Sequence, residues 1–202
     1  MRLICLDVEG VLLPEIWINV AKKTGIKELE RTTRDEPDYR KLMLGRLKIL
    51  KEHKITIHDI REVIGSMEPL PGALDFIDGL RSASQLILLS DTFEEFAQPL
   101  MKKLGWPTLF CNHLMIDEHG VIQDFQLRQE DGKKKAVLAM KSLNFEVFAS
   151  GDSYNDLSMI QSADRGAFFH PPARILEEYP DIPFFTDYTK LSDFLLDGLC
   201  QV

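Results

Sequence analysis

Cysteine is scarce in this sequence: Cys5, Cys111 and Cys200 are the only three in 202 residues, widely spaced and odd in number. That excludes a disulfide framework and the paired spacing of a structural zinc site, and it fits a reducing compartment. Long hydrophobic runs are missing too. The opening Met1-Arg2-Leu3-Ile4-Cys5-Leu6 meets the charge of Asp7 too early for a signal-peptide core, and no segment reaches membrane-spanning length. A soluble, cytoplasmic protein without a membrane partner is expected. Basic charge is in deficit, with 24 Lys and Arg against 32 Asp and Glu and a net charge of −8. Without a basic patch or an arginine-rich arm there is no footprint for nucleic acid. An acidic chain that binds an acidic ligand needs local positive charge from lysine, arginine or a metal ion. His53, His58, His113, His119 and His170 show no metal-ligand spacing and are expected at the surface.

What is present is a globular composition, 45% hydrophobic and 28% charged, enough to bury a full core. Continuous apolar runs of strand length occur at residues 3–6, 86–89 and 145–149, with shorter ones at 167–169 and 184–185. Runs without alternation suit strands buried on both faces, as in a parallel sheet. Amphipathic stretches lie between or after them at 73–80, 93–104, 134–143, 173–179 and 191–199. Strand alternating with helix predicts an α/β, doubly wound parallel sheet. Residues 15–67 interrupt the alternation with a charged, helical pattern, and Pro69, Pro71 and Gly72 mark the return to the core. This divides the chain into a core of residues 1–14 and 68–202 and an inserted helical cap of residues 15–67. Residues 109–127 fit a strand and hairpin turning at Asp117-Glu118-His119-Gly120.

Ligands of open α/β sheets bind beyond the carboxyl ends of the strands. Those ends present Asp7 and Glu9, Ser90, and Asp152 with Asn155 and Asp156. Taken singly, each has a plain explanation: an acidic turn at Asp7-Val8-Glu9-Gly10, a helix cap at Ser90-Asp91-Thr92, an Asx turn after Gly151. Together they crowd four carboxylates at one sheet edge, which is costly without a cation. Oxygen ligands with no His or Cys nearby favour Mg2+. Lys133-Lys134-Lys135 opens a helix where positive charge opposes the macrodipole, which one lysine aimed at a phosphate would explain.

The ordered set Asp7-Val8-Glu9-Gly10-Val11, Ser90, Lys133 and Gly151-Asp152-Ser153-Tyr154-Asn155-Asp156 resembles the haloacid dehalogenase superfamily of phosphatases and phosphotransferases. It is most similar to the phosphoserine phosphatase branch, and within it to the bifunctional type that also transfers phosphate to homoserine. The resemblance implies a Rossmann-like core and small-molecule substrates, phosphoserine and homoserine. It implies Asp7 as the nucleophile and Glu9 as the proton carrier. Asp7, Asp152 and the backbone carbonyl of Glu9 would hold Mg2+. Ser90 and Lys133 would bind phosphate, Asn155 would touch phosphate or substrate, and Asp156 would support the metal shell or Lys133. In the cap, Arg46 would take the substrate carboxylate and Glu15 its ammonium. Glu9 stands where the family usually has Asp, and Asp91 and Thr92 stand where relatives tend to have glycines. The alternatives are a phosphatase for another small phosphomonoester and a non-enzymatic receiver-type phospho-switch. The residues leave the oligomeric state open.

Overall fold

The structure, a computed structural model, describes residues 1–33, 35–36 and 38–197. Cys200 and the end of the helix expected at 191–199 lie outside the described residues. The first strand, β1 (Arg2–Leu6), alternates its side chains between two apolar layers, as a strand buried on both faces must. Ile4 and Leu6 join one cluster, and Leu3 and Cys5 join the other. Burial pushes the Cys5 thiol up to about 12, as befits a small core residue.

The insert follows. It holds α1 (Ile16–Thr24), a 3-10 turn, α2 (Tyr39–Glu52) and α3 (Ile57–Ser66), and it contributes no strand to the sheet among the described residues. A capping box between Thr56 and Asp59 starts α3. The chain re-enters beside its exit, where the Leu70 N–H donates to the Leu12 carbonyl (2.9 Å). The rest alternates: α4 (Ala73–Ala83), β2 (Gln85–Phe93), α5 (Glu94–Lys103), β3 (Thr108–Ile116), β4 (Ile122–Gln126), α6 (Gly132–Ser142), β5 (Glu146–Gly151), α7 (Leu157–Ser162), β6 (Arg165–Phe169), α8 (Ala173–Glu178), β7 (Phe184–Phe185) and α9 (Tyr188–Leu196). The sheet order is β4-β3-β2-β1-β5-β6-β7. Every neighbouring pair is parallel except β3 with β4. Helices α4, α5 and α9 cover one face, and α6, α7 and α8 the other, which makes the sheet doubly wound.

The insert is not a separate core. Its Val20, Met43, Leu50 and Ile60 belong to the same apolar cluster as Ile4 and Leu6, and Trp17 meets Phe96 of α5 edge-on at 5.7 Å. The β3–β4 hairpin turns at the expected place, where Asp117 Oδ1 accepts the His119 and Val121 N–H groups. Its tip braces the insert, because the Gly120 carbonyl accepts the Ile57 N–H at 2.8 Å.

One local expectation is corrected. The second strand runs past residue 89 to Phe93, and helix α5 begins at Glu94. Ser90-Asp91-Thr92 is therefore extended chain and caps no helix. Ser90 Oγ accepts the Thr92 N–H (3.2 Å), and after a register shift Phe93 pairs with Asn112 of β3. Among the described residues no helix is long and apolar enough to cross a membrane.

Candidate active site

Register carries the chemistry to one edge. Leu6 of β1 lies opposite Leu88 of β2 and Ser150 of β5, so Asp7 and Asp152, just past the ends of β1 and β5, meet Ser90 of β2 at the same edge of the sheet. The Asp7 N–H donates to the Ser150 carbonyl (2.9 Å), and the loop then folds on itself through Gly10 N–H to Leu13 O (2.8 Å). Val8, Val11, Leu12 and Leu13 are wholly buried, which pins this loop by its apolar residues. Gly10 has φ of +76°, and a Cβ there would overlap the Asp152 carboxylate. Across the β5 end, Ser153 and Asp156 form a capping box, and Asp156 Oδ2 accepts the N–H groups of Asp152 (3.0 Å) and Ser153 (3.1 Å).

Lys133 ties the set together. It is the buried one of the three lysines, and its Nζ lies 2.6 Å from Asp156 Oδ1, 2.9 Å from Asp7 Oδ1 and 3.7 Å from Asp91 Oδ2. Burial works against its charge, yet Asp156, Asp7 and Asp91 hold its pKa well above the usual lysine value. Burial also raises Asp7 well above the carboxylate range, helped by Asp156 and Asp152 and opposed by Lys133. Asp152 goes up to about 7, first by burial and then by Asp156 and Glu15.

These carboxylates fit a hard divalent cation. Oxygens of Asp7, Asp152 and Asp156, all buried, lie within 4.8 Å of one another, with no nitrogen or sulfur ligand among them. Asp156 is engaged by Lys133 and two N–H groups and is fully buried, whereas Asp7 and Asp152 line the cavity. The Glu9 side chain turns elsewhere: its Oε2 accepts the N–H of Ile16 (2.8 Å), the first residue of α1. Burial and the Glu15 carboxylate push Glu9 up to about 7, against that N–H, Arg46 and Lys133.

A cavity of about 70 Å³ brings Asp7, Glu9, Glu15, Arg46, Ser90, Lys133, Asp152 and Asn155 onto one lining. Asp156 sits behind it, fully buried. Arg46 stands on the buried stripe of α2, between Met43 and Leu47, with its guanidinium 4.6 Å above the Trp17 ring. Its Nη2 donates to the Arg31 carbonyl (2.7 Å), while its Nε is buried without a partner. Burial lowers its pKa to about 10, against Tyr39, Glu9 and Glu15, so it stays charged at neutral pH. Asn155 donates to Asp91 Oδ2 (2.8 Å) and accepts from Ser153 Oγ. Sequence reasoning gave no role to Tyr39, Asp91 and Trp17, which also line the cavity. Only Asp91 carried a signal, as part of a possible helix cap and as a departure from the glycine that relatives tend to have there. The five histidines are exposed and absent from the lining, as expected.

The glycine at the end of β5 gives a test of this packing. A Cβ on Gly151 would overlap the Asp156 side chain, whereas Gly79 of α4 has open space around it. Gly151→Ala should displace Asp156, lower stability by about 1–3 kcal/mol and cut turnover. Gly79→Ala should instead stabilise by about 0.5–1 kcal/mol. Thermal melts of the two variants check both signs.

Residues 1–164 match the family described as haloacid dehalogenase-like hydrolase. The chain is 51% identical over 191 residues to phosphoserine phosphatase ThrH of Pseudomonas aeruginosa, spanning 95% of this chain and 93% of that protein. It is 50% identical to a phosphoserine phosphatase of Pseudomonas syringae pv. tomato, over 95% of this chain and 81% of the relative. A solved phospho-aspartyl intermediate analogue of a phosphoserine phosphatase superposes with a TM-score of 0.80 at 22% identity, covering 96% of this chain and 98% of that one. The chain belongs to the haloacid dehalogenase-like hydrolases, within the branch that holds these phosphoserine phosphatases.

Proposed function

We propose that this hydrolase is a Mg2+-dependent phosphoserine phosphatase that works through an aspartyl-phosphate on Asp7 and can also pass the phosphoryl group to homoserine. The observation that carries the reading is the pairing of two features in one cavity. A buried aspartate salt-bridged to Lys133 lines it, and so does a buried arginine with no carboxylate partner among the described residues. A phosphate ester that also bears a carboxylate would engage both. Glu15, also on the lining, supplies negative charge for the ammonium of an amino acid. The insert of residues 15–67 then acts as the cap that reads the substrate.

Asp7 and Asp152, with the Glu9 carbonyl, would hold Mg2+, which when bound would supply charge neutralisation and orientation of the phosphoryl group. The remaining work falls to the chain. Ser90 and Lys133 bind phosphate oxygens. The Asp7 carboxylate attacks phosphorus, the P–O bond to the serine oxygen breaks, and Glu9 gives its proton to the leaving alkoxide. Glu9 then takes a proton from the water or alcohol that attacks the aspartyl-phosphate and returns the Asp7 carboxylate. A value near 7 lets one group both give and take a proton at neutral pH. Its anchor on the Ile16 N–H fixes a side chain one methylene longer than the family's usual Asp. Asp156 positions Lys133, and Asn155 reaches the phosphate wall through Asp91.

A receiver-type switch does not fit a member of a hydrolase family. The remaining alternative is a phosphatase for another small phosphomonoester. The deciding experiment is a panel of phosphoamino acids and simple phosphate esters with and without Mg2+. Phosphoserine should lead the panel, and chelation should abolish turnover. Homoserine added with phosphoserine should divert phosphate into O-phosphohomoserine, because a bound acceptor outcompetes exchanging water. Phosphate release that stays stoichiometric with serine at high homoserine would remove the transfer activity and leave the phosphatase. A different leading substrate would favour the alternative.

A further inference from the structure

Asp91, near the end of β2, is held from three sides. Its carbonyl accepts the Tyr39 hydroxyl from α2 (2.7 Å) and Nδ2 of Asn112 from β3 (3.2 Å). Its carboxylate accepts the Asn155 amide (2.8 Å) and stands 3.7 Å from Lys133 Nζ. The side chain is 41% exposed and lines two spaces at once. One is the small cavity with Asp7 and Arg46; the other is a groove of about 500 Å³ that Ser90 and Lys133 also line.

Beyond the Asn155 amide, which a neutral side-chain oxygen would also accept, and a long contact to Lys133, the fold makes no use of this charge among the described residues. Helix α5 starts three residues later with no side-chain cap. Lys133 already has carboxylates at 2.6 and 2.9 Å, so a third at 3.7 Å is not needed to keep it an ammonium. Toward a phosphate dianion on Ser90 and Lys133, however, the carboxylate is repulsive at short range. At an effective dielectric near 20 such a repulsion changes a binding constant by roughly tenfold or more.

We infer that Asp91 sets the affinity of this site for inorganic phosphate, holding it low so that the anion is released after the phospho-enzyme is hydrolysed. The inference rests on the reading of Ser90 and Lys133 as the phosphate site. Release balances without a co-reactant: the phosphate leaves as the free anion, and Lys133 returns to Asp7 and Asp156. The groove gives Asp91 a solvent-facing side, which moderates the repulsion without removing it.

The test is calorimetric titration of inorganic phosphate into the Mg2+-loaded full-length protein, paired with product inhibition of aryl phosphate hydrolysis. Asp91→Asn keeps the shape and an oxygen to accept from Asn155. It should bind phosphate roughly tenfold more tightly at low ionic strength, with the difference shrinking as salt is added. Asp91→Ala should also tighten binding. A purely structural role gives the opposite sign, since loosening Asn155 or Lys133 weakens phosphate. Wild-type protein that binds phosphate while Asp91→Asn binds it equally or less tightly would overturn the inference and leave the phosphate site standing. Wild-type and Asp91→Asn proteins that both fail to bind phosphate would overturn the phosphate site itself, and the inference with it.

Discussion

Asp7→Asn should abolish turnover of every phosphate ester, by about 10⁴-fold or more, while the protein stays folded. The amide cannot form the acyl phosphate, so the loss should fall on kcat for good and poor substrates alike. The fold should survive because the substitution is isosteric and removes one of several buried like charges. Burial, Asp156 and Asp152 push the Asp7 carboxyl up and Lys133 pulls it down, so its negative charge is held at a cost in the metal-free protein. Lys133 loses one partner at 2.9 Å but keeps Asp156 at 2.6 Å. The metal-free melting temperature should therefore stay level or rise. The Mg2+-induced rise in melting temperature should shrink, because a carboxylate is lost from the pair assigned to the cation. Circular dichroism, melts with and without Mg2+, and turnover of an aryl phosphate read these effects separately. Substantial turnover in a clean Asp7→Asn preparation would take the nucleophile's role away from Asp7.

The strands were legible where burial on both faces leaves an unbroken apolar run. Residues 3–6 are the clearest case, and the structure extends them by one residue to Arg2, whose guanidinium lies 3.9 Å over the Phe148 ring. The second strand was misjudged at its end because Ser-Asp-Thr has the chemistry of a helix cap. Pairing of Phe93 with Asn112, distant in sequence, overrides that local preference. Lys133 was legible because lysine at a helix start runs against the macrodipole and asks for another reason to be there. Asp91 was not, since what gives it meaning is Tyr39, Asn112, Asn155 and Lys133, brought together only by the folded sheet edge. Arg46 was found through the resemblance alone. Its sequence signal, a cation on the apolar stripe of α2, shows only once that stripe is known to be buried.

Arg46→Ala should cost phosphoserine turnover about 2–5 kcal/mol in kcat/KM, a loss of roughly thirty-fold to several thousand-fold. A buried guanidinium without a paired carboxylate is expensive; among the described residues its direct contacts are the Trp17 face, the Arg31 carbonyl and the Met43 sulfur, with Glu9 and Glu15 acting on its charge without a salt bridge. A ligand carboxylate would complete the set, with the unpartnered Nε among the donors it can meet. An aryl phosphate lacks that carboxylate, so its hydrolysis should fall far less. Alanine also leaves a void beside Trp17 and Met43, which loosens α2 for reasons unrelated to recognition. Arg46→Met separates the two causes, because it refills most of the volume with an apolar side chain and no charge. If Arg46 reads the substrate, Arg46→Met should show the same selective loss on phosphoserine with little change in melting temperature. Diversion of phosphate to homoserine should fall with it, since the acceptor carries the same carboxylate. Equal losses on phosphoserine and aryl phosphate, restored together in Arg46→Met, would instead make Arg46 a packing element of the insert and leave the carboxylate reader to be found elsewhere on the cavity wall.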